Sequence, residues 1–313
     1  MSAKSISLTS KPPARKRRSK DYFNKKIKRV LYLSLIYIIL FGLAFMILYP
    51  YFTKLVTSFM SVEDLVDPLV MFVPRNPSLF VWRLTSQYMN LTTAYFNSFM
   101  LSLSTATIQM IVCGFIGYGF ARFKFPGRSI LFFFVIFTMM VPFTTVMLPY
   151  FLRFRFFNLI GLQLNLINTF WPFIILSATG MGLRNGLFVF VYRQYFRNMP
   201  KELQEAAYID GAGPYKTFFL VMLPNAKASM LTVFLFAFCW QWTDINFTSV
   251  LSNGMDIVAN IAPRFQLTGH QHPIFISQTR NVGILITIAP IALVYFIMQR
   301  FFIEGIERSG ITS

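Results

Sequence analysis

Few residues in this sequence have the types and spacing that chemistry requires. His270 and His272 stand two apart, but no carboxylate or thiol adjoins them. Zinc normally takes three or four protein ligands, so no metal site is expected. Gly114, Gly117 and Gly119 cluster inside an apolar run with no basic residue to hold a phosphate, and no GxxxxGK[ST] pattern occurs anywhere. These glycines read instead as a small-residue face for helix packing. HExxH, GxSxG and a paired catalytic carboxylate are also missing. The chain is therefore expected not to be an enzyme and to hold no cofactor of its own. Cys113 and Cys239 each lie in an apolar run and read as small buried hydrophobes, not as a disulfide or zinc framework.

Polar residues inside apolar runs carry more information, because burying them in lipid is expensive. The run ending at Cys239 continues Trp240-Gln241-Trp242-Thr243-Asp244-Ile245-Asn246. Aromatic faces beside hydrogen-bonding groups suit a sugar, which offers C–H faces for stacking and hydroxyls for pairing. The same residues also fit an aromatic belt and a polar helix end at a membrane interface. Arg184 stands among Gly180, Gly182 and Gly186. Glycines at this density suggest a broken helix, which a membrane tolerates only where the backbone is shielded or wet. Arg184 either lines a path or pairs with a backbone carbonyl. Arg184, Trp240, Gln241, Trp242 and Asp244 are the candidates for contact with a transported molecule.

The elements that must position these residues follow from composition. The 313 residues are 55% hydrophobic and 13% charged, against about 25% charged in a typical soluble domain. The mean hydropathy is +0.56. Apolar runs recur along the whole chain at 30–52, 93–120, 129–151, 167–193, 228–249 and 282–303, each near the ~20 residues that cross a bilayer. The fold class expected is an all-α, polytopic membrane bundle of six transmembrane helices. The run from Val30 to Phe52 is too long for a signal peptide and lacks a small-residue cleavage site, so it reads as an uncleaved first span.

The net charge of +18 could mean a nucleic-acid binder. Its distribution argues for a membrane instead, and no nucleic-acid partner is expected. Residues 1–29 hold eleven Lys and Arg, and read as a disordered basic tail near anionic headgroups. With the N-terminus in the cytoplasm, the segments 121–128, 194–227 and 304–313 also lie inside. The connections 53–92, 152–166 and 250–281 lie outside. The inner connections carry Arg122, Lys124, Arg128, Arg197, Lys201, Lys216 and Lys227, with Arg193 at an edge. The longer outer ones hold Lys54, Arg75, Arg83, Arg153, Arg155, Arg264 and Arg280. That density difference obeys the positive-inside bias and places both termini in the cytoplasm.

The inner connection 194–227 has internal punctuation that a plain connector does not need. Pro200 suits a first helical turn. Glu202 and Glu205 sit at the positive end of the helix dipole. Helix formers then run to Asp210, and Gly211 supplies a stop. Pro214 opens a second short helix ending near Leu223-Pro224. Leu203, Ala206, Ala207 and Asp210 fall at i, i+3, i+4 and i+7. Such a face either packs under its own bundle or docks on a separate soluble protein.

The spacing Glu205-Ala206-Ala207, three residues, Gly211, nine residues, Val221-Met222-Leu223-Pro224 resembles the EAA loop of binding-protein-dependent ABC importers, with Val221 where the family has Ile. Phe190 to Phe196, Trp242-Thr243-Asp244 and the C-terminal Gln299-Arg300-Phe301-Phe302-Ile303-Glu304-Gly305 are similar to the carbohydrate-uptake branch, the six-span permeases of the maltose type. The resemblance covers about residues 90–305 and implies a permease domain over 30–305, between the basic tail 1–29 and a short C-terminal tail 306–313. It implies that Leu203, Glu205, Ala206, Ala207 and Gly211 seat a coupling helix in a cleft of a nucleotide-binding subunit. ATP and Mg would be bound by that partner ATPase, present in two copies. A second permease subunit, in a heterodimer, and an extracytoplasmic solute-binding protein meeting the loop 250–281 complete the implied importer, in the inner membrane of a prokaryotic cell. An ion-coupled secondary transporter is the alternative; it would need carboxylates buried in its spans, and the first, second, third and sixth runs hold none.

Overall fold

Three of the apolar runs become single helices long enough to cross a bilayer, and the other three are composite. A computed structural model describes residues 15–260 and 273–309. Two compact units divide the chain, residues 1–56 and residues 57–313.

The first unit is a single element, α1 (Arg15–Ser58), whose last two residues belong to the second unit. Its apolar side chains, Leu31, Phe41 and Met46 among them, are exposed, as a lipid-facing helix requires. Sequence reading put residues 1–29 in a disordered tail. The helix instead begins at Arg15, because Lys and Arg are good helix formers and a helix, once nucleated, propagates at little cost.

The second unit is built around α4 (Leu91–Arg122), which packs most extensively on α8 (Asn185–Asn198) and α12 (Lys227–Thr243). Gly117 makes that approach possible. A β-carbon on Gly117 would stand 2.6 Å from Tyr192 Cβ and one on Gly114 3.5 Å from Tyr192 Cζ, whereas Gly119 faces open space. Of the three glycines in this cluster, Gly117 is the one whose missing side chain the packing requires; Gly114 lies at ordinary contact distance. Tyr118, Phe188, Tyr192, Phe196, Phe218 and Trp242 fill the resulting core. Cys113 is buried in it, Cys239 is half-buried, and both are free thiols.

The run 129–151 is divided into α5 (Arg128–Phe137) and α6 (Phe143–Arg155), and the run 167–193 into α7 (Trp171–Ala178) and α8. Pro142 explains the first break, since it cannot continue a helix and disfavours helical backbone before it. Gly180 and Arg184, both left-handed, explain the second. A two-stranded hairpin, β1 (Phe157–Leu159) and β2 (Leu162–Leu164), closes through Ile160 and Gly161 with positive φ at both, the geometry of a tight hairpin turn. It is a local exception to the all-α expectation.

Three short helices lie in the connections: α2 (Val62–Val66), α3 (Phe80–Tyr88) and, after α12, α13 (Asn246–Leu251). The last helix, α14 (Pro273–Ser309), runs past the boundary at 305 expected for the permease domain. Gln278 in α14 donates to the carbonyls of Thr57 (3.0 Å) and Met60 (2.6 Å), which ties this helix to the segment that enters the unit. His270 and His272, with the rest of residues 261–272 in the expected outer loop 250–281, lie outside the described residues.

Candidate functional site

The connection 194–227 folds as the sequence predicts, into two short helices. The first is α9 (Glu202–Ile209), with Glu202 and Glu205 in its first turn. Its end is a Schellman motif: Ala212 N–H donates to Ala207 O (2.9 Å) and Gly211 N–H to Tyr208 O (3.0 Å). Gly211 supplies the φ of +76° that this cap needs. The entry is held from α4. The Arg122 guanidinium donates to Met199 O at 2.5 Å and to Pro200 O at 3.4 Å. Along α9, Gln204 donates to the Tyr208 hydroxyl at 2.8 Å.

The second helix comprises α10 (Pro214–Thr217), a π-helical turn (Phe218–Met222) and α11 (Leu223–Asn225). It meets α12 at a bend of 83°. The Tyr195 hydroxyl donates to Asn225 O (2.7 Å), pinning the bend to α8.

The predicted docking residues divide between two environments. Leu203, Glu205, Ala206 and Gly211 are exposed; Ala207 is 6% exposed and faces its own chain. The i, i+3, i+4, i+7 spacing defines a broad stripe, and Ala207 is the edge of that stripe which turns inward. Ile209, 86% exposed, belongs to the outer surface of α9 and was missed from sequence, though an isoleucine beside a helix stop is a visible anomaly.

The second candidate site lies where the two divided runs meet. A cavity of about 410 Å³ is lined by residues 138–143, by 180–186, by Val146 and Tyr150, and by Asp244, Asn246 and Phe247. Gly186 lets the breaks touch, because a β-carbon there would stand 2.7 Å from both Val135 O and Thr138 Oγ1. Arg184, at φ 61°, has its guanidinium 5.5 Å from the centroid of the Trp240 ring. Trp240 is stacked in turn on Phe188 and Phe236, at 5.6 and 5.5 Å between ring centroids. Asp244 is 7% exposed; its carboxylate accepts the Thr248 N–H at 2.9 Å, and the Thr248 hydroxyl donates to the Asp244 carbonyl.

Of the five residues singled out for contact with a transported molecule, Arg184 and Asp244 line the cavity and Trp240 backs Arg184. Gln241 and Trp242 are buried away from this lining. Trp242 packs on Tyr95 and Phe238 and donates to Thr287 O at 3.0 Å, so it serves the joint between α12 and α14. Asn185 is the residue missed from sequence. It lines the cavity, is 3% exposed, and neither its amide nitrogen nor its amide oxygen finds a hydrogen-bond partner among the described residues. An amide left so costs about 1–3 kcal/mol. An asparagine in an apolar run is the same kind of signal that Arg184 gave beside it.

The chain is 26% identical to an arabinooligosaccharides transport system permease protein of Halalkalibacterium halodurans, over 86% of this chain and 92% of that one. It is 30% identical to an osmoprotective compounds uptake permease protein of Synechocystis, over 70% of each. Among solved structures it superposes on a chain of a bacterial ABC transporter involved in the import of the acidic polysaccharide alginate, with a TM-score of 0.69, 20% identity, and coverage of 87% of this chain and 96% of that one. Residues 110–308, more than half of the sequence and including both sites, match one family throughout, and the protein belongs to it: the inner membrane components of binding-protein-dependent transport systems.

Proposed function

We propose that the chain forms half of a transmembrane path that imports a sugar or an oligosaccharide, powered by ATP on partner subunits. The observation that carries this reading is α9, a capped helix held by Arg122 to the end of α4 and presenting Leu203, Ala206 and Ile209 outward. A short helix fixed at both ends transmits displacement as a rigid body, which suits a lever seated in a partner. Relatives named for arabino-oligosaccharide transport support a carbohydrate cargo. On this reading two ATPase subunits bind ATP and Mg, a second, different permease completes the path, and an extracytoplasmic binding protein delivers the cargo to the outer loops. Both termini and the loop 194–227 are cytoplasmic, and the divided runs cross the membrane in two segments each, giving six crossings. Membership of a binding-protein-dependent family leaves the ion-coupled alternative without support.

The test is purification of the tagged chain from its native membrane in mild detergent. A second six-span protein and an ATPase are expected to copurify. Gly211→Asp and Glu205→Ala are expected to lose the ATPase and to abolish uptake while membrane insertion stays normal. Recovery of a stable, monodisperse chain alone, or normal uptake by the variants, would overturn the proposal.

A further inference from the structure

We propose that the end of the bundle where α5 begins and α8 ends holds the headgroup of one anionic phospholipid, with its phosphate on Arg193 and Arg197 of α8 and Arg128 of α5. The site lies apart from α9 and from the cavity at the breaks. It goes beyond the importer reading, since it needs only that the chain sits in a membrane.

Cations converge at this end with no acid among them. Arg193 and Arg197 stand one turn apart near the end of α8, and Arg128 and Phe132 stand one turn apart in α5. The two helices pack so that the Arg193 guanidinium carbon lies 3.9 Å from the centroid of the Phe132 ring. Phe132 is stacked in turn on Phe190 of α8, which fixes the ring. Arg128 and Arg197 both lie near enough to act on Arg193 as like charges. Among the described residues the one ion pair is Arg75 with Asp67, so no carboxylate pairs with any of the three. Arg128 gives one N–H to Phe123 O at 3.1 Å. In Arg193 the Nε is buried without a partner, and it is the one guanidinium nitrogen closed off. Held over the ring, the guanidinium keeps its outer N–H groups in a single plane, a fork that fits two oxygens of a phosphate. Like charges gathered this closely repel, and an anion among them reverses the sign of that interaction.

The surroundings select a lipid over a free anion. These arginines stand at the ends of the apolar runs 129–151 and 167–193, the depth at which headgroup phosphates lie. A cavity of about 410 Å³ opens beside Arg128, where Lys124 adds a fourth cation and Phe125 and Ile130 form an apolar wall. From Ile130 the exposed face continues along α5 through Phe133, Phe134 and Phe137, at i+3, i+4 and i+7. A phosphate in solution would use the cations and leave this face bare. A glycerophospholipid uses both, with its phosphodiester on the arginines and an acyl chain along α5. Bound so, it ties the start of α5 to the end of α8, from which the chain enters α9.

The experiment uses the protein purified in mild detergent with whatever copurifies, and counts retained lipid by native mass spectrometry. The probes are dioleoyl phosphatidylglycerol; dioleoyl phosphatidylcholine, which has the same chains and no net charge; and glycerol 3-phosphate, which has the phosphate and no chains. The expected result is one phosphatidylglycerol retained per copy at concentrations where neither of the others is. Arg197→Gln, at an exposed side chain, is expected to lower that affinity about fivefold, and Arg193→Gln with Arg197→Gln about twenty-five-fold. Arg155→Gln, in another connection, is expected to leave it unchanged. If the double variant cannot be recovered, Arg197→Gln alone decides. Equal retention of phosphatidylcholine would overturn the proposal in favour of an ordinary apolar annulus. Comparable binding of glycerol 3-phosphate would overturn the lipid and leave a free-anion site. Unchanged phosphatidylglycerol affinity in the arginine variants would overturn the site, and loss of a copurifying ATPase from those same variants would make the arginines part of a protein interface instead. Binding is read on the chain itself, so its outcome is separate from that of the importer reading.

Discussion

The helix α9 and the cavity at the breaks are built on opposite rules. In α9 the backbone groups at the stop are paired, Gly211 takes the left-handed turn that a glycine takes freely, and the apolar side chains Leu203 and Ile209 face out. At the cavity the left-handed position is held by Arg184, which pays for it in strain, the amide of Asn185 is unpartnered, and the glycine Gly186 serves close packing. On the proposed reading α9 is a docking lever, which has to keep its shape when its partner moves, so its internal needs are met internally. The junction of the two helix breaks instead leaves a buried amide unpaired among the described residues.

Three substitutions test how far that contrast holds. The largest effect is expected at Gly186. Gly186→Leu drives a side chain into Val135 O and Thr138 Oγ1, closes the contact between the two breaks, and costs about 1–3 kcal/mol or more in overpacking. A fall in the thermal unfolding midpoint of the detergent-solubilised protein, with loss of uptake, checks it; an unchanged midpoint would mean that the breaks do not bear on each other. Next comes Arg122→Ala, which removes two charged hydrogen bonds to the entry of α9 and costs that junction about 1.5–3 kcal/mol. Its expected signature is uncoupling: ATPase retained in the purified complex, with uptake reduced more than ATP turnover. Equal loss of both would show that α9 needs no anchor on α4. The smallest effect on stability belongs to Arg184→Gly. Release of a left-handed residue gains about 1–2 kcal/mol, and loss of the contact with Trp240 forfeits about 0.5–1 kcal/mol. The unfolding midpoint should hold or rise slightly, and a clear fall would show that Arg184 is structural.

The same contrast decides what could be read from the sequence. Caps and stops are local, so Glu202, Gly211 and Pro214 announced the two helices of the loop with nothing else known. The stripe containing Ala207 was legible, but which edge of it turns inward depends on the π-helical turn packed beside it. The division of 167–193 was visible in its glycines. The division of 129–151 was hidden because Thr138 to Val141 is nearly as apolar as its flanks, and Pro142 alone does not say whether a helix kinks or stops. Asn185 was visible as a polar residue in an apolar run, but its unpaired state was not. Whether an amide is satisfied depends on which side chains the fold brings to it, and those come from breaks some 45 residues apart in the chain. The two residues judged able to touch cargo but found elsewhere, Gln241 and Trp242, follow Trp240 around α12, where each step of about 100° turns a side chain to a new face.

The π-helical turn at Phe218–Met222 sets a phase. A turn of this kind carries one residue more than α-helical winding needs. The surplus rotates everything after it, including the 83° elbow into α12, by about 100° relative to α9. The loop can therefore be retuned by bookkeeping of residues as well as by changes of side chain. Deleting one residue between 218 and 222 would rewind the turn as ordinary α-helix and re-aim α12 against an unchanged α9, so that chain length at this point acts as the dial that sets how the two are oriented.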